Sequence, residues 1–96
     1  MATLSKKIKT NTLLENKLNQ LWHQGYVVLH RWELLSWYGK DRITSAVWRD
    51  IWDSWEEMFD GEEPEELKVI KCDETTAPQK YVVVNDSELV NINTMN

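Results

Sequence analysis

The chain has one cysteine, Cys72, so an internal disulfide is excluded, and so is any CxxC or cysteine-rich zinc site. A single thiol fits a reducing compartment better than a secreted protein, and a cytoplasmic location is expected. No apolar run approaches the roughly 20 residues needed to cross a bilayer. The basic start, Lys6-Lys7, is followed by no apolar stretch and does not read as a signal peptide. Three glycines leave no room for a Gly-rich phosphate loop, and two prolines leave long stretches free of breakers.

What is present is tryptophan, six in 96 residues, within an apolar fraction of 42%. Each ring can bury roughly 150–250 Å², so some of the six must build the core of so short a chain. The net charge of −5 is unevenly spread. Residues 1–50 carry eight Lys/Arg and four Asp/Glu, whereas residues 51–96 carry three and twelve. Such asymmetry can mark a partner surface, although a solvated acidic segment is the simpler reading.

Residues 1–11 are polar and aperiodic and read as a flexible arm. Thr12-Leu13-Leu14-Glu15 has the form of a capping box, and Leu14, Leu18 and Leu21 follow at helical spacing up to Gly25. This predicts a first helix over 12–24. Tyr26-Val27-Val28-Leu29 reads as a strand or extended linker, Trp32 to Tyr38 as a short helix closed by Gly39, and 43–59 as the longest helix. Gly61 and Pro64 end it within a stretch, 56–66, in which seven of eleven residues are acidic. Leu67 to Lys71 and Tyr81 to Val84 read as a hairpin joined by a long, mobile loop. Residues 86–96 form a tail in which Leu89-Val90-Asn91-Ile92 could add a short strand.

The order helix, strand, helix, turn, helix, hairpin over residues 12–85 resembles the winged-helix family, an α+β fold of three helices with a C-terminal β-hairpin. The segments that carry it are Gly25 to Val28, Glu33-Leu34-Leu35, the turn Gly39 to Arg42, Ile43 to Glu57 and the two strands. The resemblance implies a helix-turn-helix core with a wing. Family members bind DNA through the third helix or serve as protein-docking modules.

Enzyme chemistry finds little footing. His23 and His30 match no ligand spacing, Cys72 closes an apolar strand, and the adjacent pairs Glu56-Glu57 and Glu65-Glu66 point different ways on regular backbone. No metal site, cofactor or catalytic residue is expected. For nucleic acid, the available cations are Lys6, Lys7, Lys9, Lys40, Arg42, Arg49, Lys71 and Lys80. Against that use, the third helix offers Asp50, Asp53, Glu56 and Glu57 beside its one cation, Arg49.

On a helical wheel the apolar arc of this helix spans about half the circle, wider than the roughly 100° that faces a core. Ile51 lies near its centre with Val47, Met58 and Trp55 around it, and these are expected in the core. Trp52 lies at the rim with Trp48 just inside. Trp48, Arg49, Trp52 and Glu56 therefore form a candidate partner-binding patch, since Trp and Arg are favoured interface anchors. The plainer reading has the hairpin or the first helix cover both rings, Trp48 above all. A rim tryptophan could equally pack across a two-fold axis in a homodimer. The expectation is a non-enzymatic interaction protein that docks on a protein or nucleoprotein partner, an inhibitor or adaptor. Small phage or mobile-element proteins that disarm host nucleases or polymerases share this profile. The alternative is a small DNA-binding regulator on the same fold.

Overall fold

The computed structural model describes residues 2–74 and 76–95, with the side chains of residues 2–11 left aside. Its elements are α1 (Ala2–Gln24), β1 (Tyr26–His30), α2 (Arg31–Tyr38), α3 (Ser45–Glu57), β2 (Leu67–Cys72) and β3 (Lys80–Asn85). The fold is α+β: three helices against one antiparallel sheet of order β1-β3-β2. β1 is thus a sheet strand, and the expected two-stranded hairpin is part of a three-stranded sheet with β3 at its centre.

α1 starts ten residues before the capping box, and Thr12 lies inside the helix instead of at its N-terminus. Residues 2–24 contain no glycine or proline, so no local breaker stops the helix from extending back through the aperiodic part. Leu14, Leu18 and Leu21 are at most 2% exposed and face the sheet. Full burial of each contributes about 1.5–3 kcal/mol. Gly25 ends the helix in the left-handed region, φ +85°, and its N–H donates to the Leu21 carbonyl at 2.8 Å. The Gly25 carbonyl then accepts the Asn85 N–H at 2.9 Å, which locks the start of β1 to the end of β3.

The inner face of the sheet, Val27, Leu29, Tyr81 and Val83, closes the core against α1, Leu34 of α2, and Val47, Ile51 and Trp55 of α3. Met58, expected in the core, is half-buried on its edge. Trp55 is fully buried, its Nε1–H donates to the Glu65 carbonyl at 2.8 Å, and its ring meets Phe59 and Trp22 with centroids 5.1 and 5.7 Å away. Tyr38 joins α2 to α3 by donating to an Asp50 carboxylate oxygen at 2.6 Å. Burial, then the Asp50 bond and its charge, push the Tyr38 hydroxyl well above its ordinary pKa.

The expected strand over Leu89 to Ile92 does not form. Instead two 3₁₀ turns, Asp86–Glu88 and Ile92–Thr94, follow β3. The side chains of Asn85 and Asn91 accept from the N–H groups two residues on, a local pairing that competes with a sheet ladder.

Candidate functional site

α3 lies across the inner face of the sheet but leaves a cleft along β2. The register pairs Val69 with Val83 and Lys71 with Tyr81, so Leu67, Val69 and Lys71 point to the α3 side while Lys68, Ile70 and Cys72 point outward. Val83 and Tyr81 on the central strand are buried, yet Val69 beside them is 42% exposed. The difference is position in the sheet: β3 is central and packs into the core formed with α1 and α3, whereas β2 is an edge strand.

The resulting groove comprises two pockets whose linings share Trp48 and Val69. One, of about 190 Å³, is lined by Trp48, Ile51, Trp52, Leu67, Val69 and Val83, all apolar. The other, of about 410 Å³, continues past Trp48 towards the 73–79 loop, where Arg31 and Lys71 join Tyr81 and Pro78. Among the described residues, no carboxylate lines either part. In a chain of net charge −5, the groove is an apolar slot with a cationic end.

Of the four residues expected at a partner-binding patch, Trp48 and Trp52 line this groove. Trp48 is half-buried with its ring edge-on to Tyr81, centroids 4.8 Å apart, so the hairpin does cover one side of it. Trp52 is half-buried against the core. Arg49 and Glu56 are exposed on α3 outside the groove lining. Arg31 and Val69 were not anticipated at a site. The available signal for the second was β2 itself: apolar residues at 67, 69 and 70 break strict alternation and place apolar side chains on both faces.

The cations considered for nucleic acid are dispersed. Lys40 and Arg42 sit in the turn between α2 and α3, beside Asp41. Lys71 faces the groove, whereas Lys80, one pairing step away, points to the opposite face of the sheet. Arg49 shares α3 with exposed Asp53, Glu56 and Glu57. The side chains of Lys6, Lys7 and Lys9 lie outside the described residues.

His30, Lys80 and Cys72 are neighbours across the three strands on the outer face. Two strand spacings of about 4.8 Å separate the histidine from the cysteine, with the lysine between them, a poor arrangement for a shared metal. Among the described residues no group of three or more His, Cys, Asp or Glu is placed to hold a metal ion.

Glu65 has a role that the acidic composition concealed. Its side chain accepts from the buried Asn85 amide at 3.4 Å and from the Ser87 hydroxyl, while its backbone carbonyl holds Trp55. The loop from α3 to β2 is thereby tied to both ends of the core, which sets where β2 begins. No protein-family model, curated protein or solved structure matches the chain.

Proposed function

We propose that the chain is a non-enzymatic docking module of winged-helix type that binds a protein partner along the groove between α3 and β2. The element order, with β1 completing a sheet around the β2–β3 hairpin, supports the winged-helix resemblance. The observation that carries the docking reading is the groove: two half-buried tryptophans face an under-covered strand, and among the described residues none of the lining side chains is a carboxylate. Large aromatic rings on the wall of a desolvated slot are the usual anchors of an interface. An inhibitor or adaptor role, as in small phage or mobile-element proteins, agrees with a short acidic chain of this kind. Direct DNA reading by α3 is the weaker alternative, because the exposed side of α3 presents carboxylates that would face or flank phosphates.

Affinity capture from the native host, run in parallel with wild type, Trp52→Ala and Arg49→Ala, tests the reading. The expected result is a co-purifying protein, retained after nuclease treatment, that Trp52→Ala loses and Arg49→Ala keeps. Release by nuclease, or capture unaffected by Trp52→Ala in a folded variant, would contradict it.

A further inference from the structure

The two edge strands of the sheet are finished differently. The Asp86 N–H donates to the Glu66 carbonyl and the Asn85 N–H to the Gly25 carbonyl, which sets the phase of both ladders. By the alternation of an antiparallel pair, Tyr26, Val28 and His30 of β1 turn their backbone groups away from β3, as do Leu67, Val69 and Lys71 of β2. On β1 these outward groups are met by side chains. Gln24 Nε2 donates to the Tyr26 carbonyl at 2.8 Å, Lys17 Nζ to the Val28 carbonyl at 3.4 Å, and the His30 N–H donates to Glu33 Oε1 at 3.0 Å. On β2 no side-chain hydrogen bond among the described residues reaches the backbone of Leu67, Val69 or Lys71.

Lysines on an edge strand often guard it. Here Lys68 points to the outer face and pairs with Asp86 at 3.4 Å, across its own sheet, while Lys71 lines the groove. Neither covers the edge. The open edge therefore runs beside the apolar slot and carries Lys71 near its end, with Arg31 on the far side of β3 lining the same pocket.

We propose that the partner enters as an extended strand, pairing with the free edge of β2. Its alternate apolar side chains would fill the slot by Trp48, Trp52 and Val69, and a carboxylate would sit at the Arg31–Lys71 end. The proposal rests on the docking reading above and specifies its ligand: an extended peptide with apolar alternation and one acidic residue at an end. An added strand supplies affinity through main-chain bonds and selectivity through every second side chain. Arg31 and Lys71 at this end favour the acidic residue by charge complementarity, with one carboxylate nearby, Glu74, which accepts from the lining Thr76 hydroxyl at 2.9 Å.

The test is selection from a displayed library of random heptapeptides on the full chain, followed by affinity measurements on synthetic versions of the winners. Enriched sequences should alternate apolar and polar residues and carry Asp or Glu at one end. Lys71→Glu should weaken them about tenfold or more, and so should Val69→Pro, which removes an outward donor and reshapes the slot wall at an edge where proline is tolerated. Backbone N-methylation of the peptide gives a control that leaves the protein untouched: methylating one set of alternate amides should abolish binding, and the other set should not. No alternating sequence enriched, or equal effects from both methylation sets, would overturn strand addition. Winners that bind as helices and lose affinity with Trp52→Ala would leave the groove as the site and reject the strand. Winners indifferent to both Trp52→Ala and Val69→Pro would reject the groove as well.

Discussion

Replacing Trp55 by alanine removes the largest fully buried side chain in the molecule. Three losses add at one site. The indole leaves a cavity at the meeting point of α1, α3 and the loop to β2, and Trp or Phe to Ala changes in cores cost about 3–5 kcal/mol. The Glu65 carbonyl loses the Nε1–H donor at 2.8 Å, and an ordinary buried hydrogen bond contributes about 0.5–1.5 kcal/mol. Phe59 and Trp22 lose ring contacts at 5.1 and 5.7 Å. A domain of this size has a total stability of about 5–15 kcal/mol, so Trp55→Ala should leave the chain mostly unfolded or close to it. Trp52→Ala removes a half-buried ring from the groove wall and should cost about 1–2 kcal/mol, of the size expected for partial burial. Urea unfolding followed by far-UV circular dichroism is the suitable assay, because six tryptophans make fluorescence ambiguous. If Trp55→Ala lost no more than Trp52→Ala, the placement of α3 over the core would be wrong.

Tyr38→Phe should destabilise the chain by about 1.5–3 kcal/mol, the range for a hydrogen bond to a charged group, and should alter its alkaline limb. Because burial and Asp50 raise the folded pKa of Tyr38, its contribution is intact below the unfolded tyrosine value of about 10 and fades as pH rises beyond it. Urea titrations from pH 8 to 11 should therefore show a steeper loss in wild type than in Tyr38→Phe; parallel curves would refute the assignment. Gly25→Ala should cost about 1–2 kcal/mol, since φ is +85° there and an L side chain is strained in that region. The new Cβ would meet Glu88 Cγ at 3.2 Å, but that side chain is exposed and can move. Thermal melts should find that adding Glu88→Ala does not restore stability, whereas full rescue would assign the cost to the clash.

The leucine ladder of α1, the glycine stops of α1 and α2 and the inner face of α3 were legible because each depends on local periodicity or on a backbone requirement, whereas α3 ends at Glu57, short of the expected stop at Gly61. Leu14, Leu18 and Leu21 point where the 3.6-residue repeat sends them, and Gly39 takes the left-handed position that closes α2. The first ten helical residues of α1 offer one apolar pair at helical spacing, Leu4 and Ile8, too little pattern to extend the helix, although nothing in them breaks one. The Leu89 to Ile92 segment has strand-like composition, yet Asn85 before it and Asn91 within it turn the chain locally. At the candidate site, the wheel located Trp48 and Trp52 because they share one helix. The opposite wall comes from β2 and Arg31, brought there by sheet register and by the start of α2, and register lies beyond the reach of one strand's own sequence.

The docking claim is tested most directly by amide hydrogen exchange on the full chain, free and bound to its captured protein partner. The account predicts new protection at the outward amides of Leu67, Val69 and Lys71, together with slowed exchange along the Trp48–Trp52 flank of α3. Protection confined to α1, to the 56–66 acidic stretch or to the carboxylate-bearing side of α3, with β2 unchanged, would contradict it.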